Sequence, residues 1–574
     1  MDSRNRRWEI INKISNFPFG LAQGGQFPIS SEKIVDLLLK NRGIKTNKDK
    51  KEFFKPIHPS EISLKTLRIK EAEVKRAIAR IREAKKSKEK VIVYGDYDAD
   101  GVCATAILWE CLWSLGLNVL PYIPERFSEG YGLNIETISK LKSQNSNLGL
   151  IITVDHGIVA SEKIDFAKEV GIDVIVTDHH QPSKAKPKAL AIIHTVDIGG
   201  AGVAWILSRE VARKFQFSPA KRTKYSKFQI NNSLELAALG TIADQLQLLG
   251  PNRSFVKYGL EELNKTQRVG LLSLFKESGI TKGEIGTYQV NFLIAPRINA
   301  MGRLEHAIDS LRLLCTKNKK KAEELADNMG KINSRRQAVL GEISSHAINL
   351  VNHQSFGRII VLAHESYHEG VIGLAAGKLV EEFYRPAIVI SKKAKISKAS
   401  ARSVSGFNII EAIRKHEDLI LEGGGHPMAA GFSILTKRIS EFKRKINKTS
   451  KKLLTAGILT KKLRIDLELD FKQINKEFLE KLASFEPVGL GNPTPIFATK
   501  DVSVLDARLV GADKKHLRLR LEKEGKVFAG IAFGMGDIYS KFTPDKNIDI
   551  AYSLEEDSWN GNNKIQLKIR DIKV

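Results

Sequence analysis

The sequence predicts an α/β protein of two lobes joined by one long helix and completed by a small antiparallel β-barrel, and three patterns lead to that reading. From residue 90 to about residue 196, short apolar runs alternate with helical stretches, as βαβ units of a parallel sheet covered on both faces require. From about Lys319 to Val351, Leu325, Met329, Ile332, Val339, Ile343 and Leu350 keep a one-sided helical spacing, long enough for a spacer between lobes. Near the C-terminal end the pattern changes to strict alternation, as in Leu517-Arg-Leu519-Arg-Leu521 and Ile565-Gln-Leu567-Lys-Ile569-Arg, which describes strands with one basic face.

Length and composition narrow the field. The 574 residues allow three or four domains, and 42% apolar residues is ordinary for a soluble protein. No apolar run reaches the length of a membrane span, and MDSRNRRWEIINKI lacks the apolar core of a signal peptide. Cys103, Cys111 and Cys315 are odd in number and form no CxxC pair, so neither a disulfide framework nor a zinc ribbon is indicated, and a reducing cytoplasm fits best. The 92 Lys and Arg against 65 Asp and Glu leave a net charge of +27, which attracts polyanions, nucleic acid foremost.

Residues 1–70 read as an N-terminal accessory segment, in which LLLKNRGI ends a helix near Gly43. Residues 71–318 form the first lobe. It opens on an amphipathic helix, with Val74, Ala77, Ile78 and Ile81 inward and Lys75, Arg76, Arg80 and Arg82 on a basic outer face. Strands are expected at 91–94, 148–154, 174–176 and 190–193. The residues just past these strands carry the chemistry. The first strand runs into Asp96, Asp98 and Asp100, closed by Gly101, and three carboxylates that close repel one another unless a cation neutralises them. The second ends in Asp155-His156-Gly157 and the third in Asp178-His179-His180, and the strands of an open parallel sheet bring such ends to one crevice. The apolar helix LELAALGTIAD ends in Asp244, where the negative end of the helix dipole calls for a compensating cation. NFLIAPRINAMGRL then places Arg297 and Arg303 close together.

Residues 319–352 are the connecting helix and 353–459 a second α/β lobe, with strands at 358–363 and 387–390 around a helix from about Val371. In this lobe Gly423, Gly424 and Gly425 offer unobstructed backbone amides and His426 a further donor; with Ser400 and Arg402 they make an anion site. Residues 460–574 are the barrel, and its specific version is an OB-type barrel that tracks single strands.

Taken together, LLLKNRGI, VYGDYDADGV, YIPERFSEGYGLN, ITVDHGI, VTDHHQP, AGVAWIL, ALGTIADQLQLLGPNR, APRINAMGRL, ARSVSGF, GGGHPMAAGFS and PVGLGNPTPIF make the chain resemble the DHH phosphoesterase superfamily. Within it, the resemblance is to the bacterial single-strand-specific 5′→3′ exonucleases, over nearly the whole length. It implies a DHH lobe, a connecting helix, a DHH-associated lobe and an OB-type barrel. It implies two divalent cations, Mn²⁺ or Mg²⁺, held between Asp96, Asp98, Asp100, Asp155, His179 and Asp244, with Asp178 and His180 beside them. Asp98, Asp100, Asp155, His179, His180 and Asp244 would be the catalytic set, and oxygen and imidazole donors suit both ions. Arg126, Ser400 and Arg402 would hold the 5′-terminal phosphate or its neighbours, while Arg297, Arg303 and His426, with Gly424 and Gly425, would line the path of the strand between the lobes. The implied setting is DNA repair and recombination by a monomer with no membrane role, with a RecQ-type helicase and a single-strand DNA-binding protein as partners. The chain departs from the family pattern at His156, where Asn is usual, after Asp244, where Pro-Leu is usual, and at His194-Thr195, where Asn-Pro is usual; the loop before Gly199 is also shortened. Two other readings share parts of this pattern: a phosphodiesterase of short oligonucleotides or cyclic dinucleotides, and a DNA-binding scaffold that has lost its metals.

Overall fold

The computed structural model describes residues 6–12, 30–183, 185–216, 233–354, 356–542, 547–557 and 564–574. It divides into two compact units: Lys51–Ala338 with Pro487–Asn492, and Met1–Lys50 with Val339–Glu486 and Pro493–Val574. The strand β1 (Arg7–Asn12) belongs to the second of these.

The first unit is built on a parallel sheet of β2 (Lys90–Tyr94), β3 (Asn118–Tyr122), β4 (Leu148–Val154), β5 (Asp173–Asp178) and β6 (Ala191–His194), in the order β3-β2-β4-β5-β6. Side chains alternate along each strand, so a sheet covered on both sides must feed two cores. Val91 and Val93 pack with the helices Glu71–Lys86, Ala99–Ser114 and Gly200–Gln216, whereas Ile92 and Tyr94 pack with Ile135–Gln144 and Ser161–Glu169. The strand order reverses between β2 and β4, the switch point at which a doubly wound sheet opens a crevice at its carboxyl edge.

The four expected strands of this sheet all form. The edge strand β3 was not expected: NVLPY has no period and contains Pro121, which only an edge tolerates. The helix over Val74–Ile81 forms as Glu71–Lys86, but Arg80 is not on a solvated basic face. It is 8% exposed and bridges Glu89 and Asp173, each at 2.6 Å, because the helix turns this position toward the sheet margin.

A second arginine, Arg268, its side chain 12% exposed, ties the helices behind the crevice. It donates to Glu110 at 2.7 and 3.0 Å and to Glu235 at 3.1 Å. Burial raises Glu235 to about 7 even with this partner. Arg268→Ala would strand both carboxylates and is expected to cost about 3–5 kcal/mol in urea unfolding. Adding Glu110→Gln and Glu235→Gln should recover most of it, and a loss that persists would place the effect in packing rather than charge.

The second unit has two sheets. One has the order β10-β11-β9-β8-β7, from β7 (Ile360–His364), β8 (Ala387–Ser391), β9 (Ile396–Arg402), β10 (Ile420–His426) and β11 (Ala429–Leu435); only β7 and β8 are parallel. The other comprises β12 (Lys462–Glu468), β13 (Phe497–Val510), β14 (His516–Lys523), β15 (Lys526–Ala532), β16 (Asn547–Asp557) and β17 (Lys564–Lys573) with β1. Five of these close a barrel, β13-β14-β15-β17-β16, because the long β13 pairs with β14 at one end and with β16 at the other. Leu517, Leu519 and Leu521 fill the barrel, and Arg518 and Arg520 face out, as the alternation predicts. The helix Lys319–His353 covers the spacer segment. Among the described residues no helix is long and apolar enough to cross a membrane.

Candidate metal centre

The carboxylates gather at the switch point. Beyond β2 the chain turns tightly into the helix Ala99–Ser114, and Asp98 caps it by accepting from the amides of Asp100 and Gly101, both at 3.0 Å. Only glycine fits at 101, where a Cβ would sit 2.6 Å from that of Asp96. Asp100 is held at the amino end of the helix Gly200–Gln216, accepting from Gly200 N at 2.7 Å and Ala201 N at 3.0 Å. Asp155 follows β4 with φ at +67°, a left-handed conformation that Asp tolerates better than most residues. Asp244 is the C-cap of Leu234–Ala243.

His179 Nε2 stands in the middle, 3.1 Å from Asp155 Oδ1, 3.7 Å from Asp244 Oδ2 and 3.9 Å from Asp100 Oδ2. Three overlapping groups of donors result: Asp155, His179 and His180; Asp100, His179 and Asp244; and Asp96, Asp98 and Asp155. Every metal ligand expected from the sequence therefore lies in one cluster. Glycines at 200 and 240 were not expected to matter, yet a Cβ at Gly200 would lie 2.3 Å from Asp155 Oδ1 and one at Gly240 2.2 Å from Asp100 Oδ1. Asn299 was also missed; its Oδ1 accepts from Ala99 N at 2.8 Å and so braces the acidic turn. Side-chain roles set by distant sequence leave no local signal.

The electrostatics show what the cluster lacks. Burial, then repulsion from Asp98, holds Asp96 well above the usual carboxylate range and raises Asp100 to about 7. Burial, then Asp100, does the same to Asp155 and takes Asp244 to about 8. Asp155 Oδ1 is buried without a hydrogen bond, although His179 Nε2 lies 3.1 Å away. A divalent cation would answer both conditions, and carboxylate oxygen with imidazole nitrogen is a donor set that Mn²⁺ and Mg²⁺ accept.

Asp178 behaves differently. Burial opposes its charge, but hydrogen bonds from His180, His179 N and Ile158 N outweigh it and depress its pKa. The same contact lifts His180 to about 9 despite burial. An ionised Asp178 must receive a proton from His180 Nδ1, which leaves Nε2 as the nitrogen available to a cation. His156 belongs to none of the three donor groups, and its Nδ1 is buried without a hydrogen bond. Its Nε2 lies 3.0 Å from Tyr94 O, its ring packs on Tyr94 and Tyr131, and burial lowers it to about 4, so it is a neutral donor that pins the end of β2.

Of the expected DNA contacts in this unit, Arg126 stacks over Tyr97 at 4.9 Å beside the acidic turn, and the charge of Arg303 reaches the same tyrosine. Arg297 is committed inward, donating to Glu277 and to Leu293 O. In the second unit, Ser400 and Arg402 lie side by side on β9 with Arg402 Nη1 3.3 Å from Ser400 Oγ, packed against Gly373 in the first turn of Ile372–Phe383. Arg402 pairs with no carboxylate among the described residues, and burial weakens its basicity. The glycine run is not a loop cradle. Gly423, Gly424 and Gly425 are part of β10, because the turn is taken by Pro427-Met428 and the chain pairs back through β11. Register still aligns Gly424 with Gly431 and Ser400 in one row, and His426 with Ala429 and Arg402 in another.

A parallel sheet with Asp-x-Asp-x-Asp after one strand and Asp-His-His after another defines the DHH class, and the model for the DHH family, N-terminal domain, matches residues 90–241. The DHHA1 domain matches 356–452 and the RecJ OB domain 465–571. The single-stranded-DNA-specific exonuclease RecJ of Haemophilus influenzae is 30% identical over 94% of this chain and 96% of its own. RecJ of Bacillus subtilis is 35% identical over 87% of this chain, which spans 63% of that longer relative. The crystal structure of RecJ from Thermus thermophilus in complex with Mn²⁺ superposes with a TM-score of 0.78 at 30% identity, covering 94% of this chain and 76% of that one. The chain belongs to the RecJ family of single-stranded-DNA-specific exonucleases.

Proposed function

We propose that the chain is a metal-dependent exonuclease that degrades single-stranded DNA in the 5′→3′ direction with two divalent cations, Mn²⁺ or Mg²⁺. The observation that carries this is the overlap of three donor groups through Asp155 and His179, which supports a reading with two adjacent ions. Bound there, such ions would lower the pKa of an attacking water and offset charge on the leaving oxygen of a phosphodiester. The chain's own residues set the frame for that chemistry. Asp98 and Asp100 are fixed by helix-end amides, Asp178 holds His180 Nδ1, and the guanidinium of Arg126 beside Tyr97 offers a contact for phosphate.

Ser400 and Arg402, with the amino end of the adjoining helix, suit a terminal 5′-phosphate, and the outward Arg518 and Arg520 suit a tethered strand. Arg303 in the first unit, and Gly424, Gly425 and His426 in the second, are proposed as further contacts to single-stranded DNA. DNA repair and recombination are the proposed setting, beside a RecQ-type helicase and a single-strand DNA-binding protein. A cytoplasmic location is supported by the three cysteines, all unpaired.

The test is digestion of a single-stranded oligonucleotide labelled at its 3′ end, with Mn²⁺ or Mg²⁺, against duplex and against Asp155→Asn. A ladder that shortens stepwise on single strands alone, and is absent in the variant, is expected. Immediate release of labelled mononucleotide would reverse the direction. Cleavage confined to dinucleotides would point to the short-substrate phosphodiesterase, and binding without cleavage to the scaffold.

A further inference from the structure

Tyr288 and Phe292 are each 63% exposed, with ring centroids 4.9 Å apart and planes inclined by 34°. Two large aromatic rings side by side in solvent are costly to leave uncovered unless something stacks on them. Their position says what that is. They lie on a continuous helical segment, Thr287–Gln289, Val290–Ile294 and Ala295–Leu304, whose middle part is a π turn, a feature found often at functional sites. Asn291, between the two rings, accepts from Gln245 Nε2 at 2.6 Å. Gln245 directly follows Asp244 and holds φ at +56°, so the aromatic pair is clipped to the backbone next to a donor of the metal cluster. Further along the segment, Asn299 accepts from Ala99 N, and Gly302 lies beneath Tyr97 so closely that a Cβ would be 2.5 Å from its carbonyl oxygen. The whole segment thus runs beside the carboxylates. From Thr287 to Leu304 it carries Arg297 and Arg303 and no acidic residue, so nothing on it repels a polyanion.

We propose that Tyr288 and Phe292 form a stacking platform for bases of the substrate strand beyond its two 5′-terminal nucleotides. The proposal rests on the exonuclease reading above. Stacking on π faces ignores base identity, as a nuclease that must pass every sequence requires. The paired rings give room for consecutive bases, and the Gln245–Asn291 clip keeps them in step with the cleavage site.

Steady-state kinetics of the full chain with Mn²⁺ test it, using an oligothymidylate of about 20 nucleotides, the same strand with abasic residues, and a 5′-phosphorylated dinucleotide. The Tyr288→Ala/Phe292→Ala variant is expected to raise KM for the long strand by about ten- to a hundredfold. Its kcat should stay within about twofold and its dinucleotide hydrolysis should be unchanged. Tyr288→Trp/Phe292→Trp should behave like the parent, and the abasic strand should remove the difference between parent and alanine variant. An unchanged KM on the long strand overturns the platform and leaves the rings to a protein partner. Equal losses on long strand and dinucleotide, or equal damage by Trp and Ala, also overturn it, since either would mean a disturbed metal centre or shape. A parent that degrades no single strand overturns the exonuclease reading together with the platform, whereas the other failures leave that reading standing.

Discussion

Asp155→Asn is expected to lower single-strand hydrolysis by about 10³-fold or more while raising the melting temperature of the metal-free protein. Both effects have one origin. Asp155 is 2% exposed, its Oδ1 has no hydrogen bond, and burial together with Asp100, Asp98, Asp96 and Asp244 penalises its charge. An amide removes the charge and keeps the shape. Asn also accepts the left-handed φ of +67°, which Ala would hold only with strain. The charge that destabilises the metal-free cluster is the charge a cation needs. Thermal melts with and without Mn²⁺, run beside the nuclease assay, separate the two: the parent should gain stability from Mn²⁺ and the variant little. A variant less stable than the parent in chelator would contradict this account of the site.

Without divalent ions the protein is expected to lose stability as pH rises. Asp100 and Asp244 titrate near 7 and 8 in the folded chain, against about 3.9 when unfolded. Between those values the folded state keeps protons that the unfolded state has released, so the slope of unfolding free energy with pH is negative. His180, raised to about 9, acts in the same direction: its stabilisation is complete below about 6.5 and is lost as pH rises through 9. His156, depressed to about 4, acts the other way, and only as pH falls from about 6.5 toward 4. Unfolding free energies from urea titrations in chelator should therefore fall between about pH 6.5 and 9. Saturating Mn²⁺ should abolish or reverse the trend, because deprotonated carboxylates bind it best. A flat or rising curve in chelator would show that the carboxylates find another partner.

Much of this was legible in the sequence, for a definable reason. Buried parallel strands need dense β-branched runs, and ligands need charged side chains just after them, so Val91 to Asp100 announces both a strand and a site. Features with weaker local signatures were not legible. The edge strand β3 has little burial to enforce a pattern, and β1 is a strand only because β12 lies beside it. The glycines of β10 looked like a loop because glycine weakens strands, and their extended form is imposed by β11, a constraint from elsewhere in the chain. Arg80 looked like a surface charge and Arg297 like a DNA contact because their partners, Asp173 and Glu277, are separated from them in sequence. Gly200 and Gly240 leave room for carboxylates that are distant in sequence.

The pairing of β1 sets a timetable for synthesis. Arg7, Trp8, Glu9 and Ile10 find their ladder partners in Lys462 to Ile465, and Trp8 Nε1 donates to Asp571 at 2.7 Å. On a ribosome adding about 5–20 residues per second, β12 emerges between about 20 and 90 s after β1. Lys51–Ala338, which carries the carboxylates, needs only Pro487–Asn492 from later in the chain and can condense meanwhile. Throughout that interval the first strand stays an unpaired edge with Trp8 and Ile10 uncovered, open to chaperones or to another nascent chain.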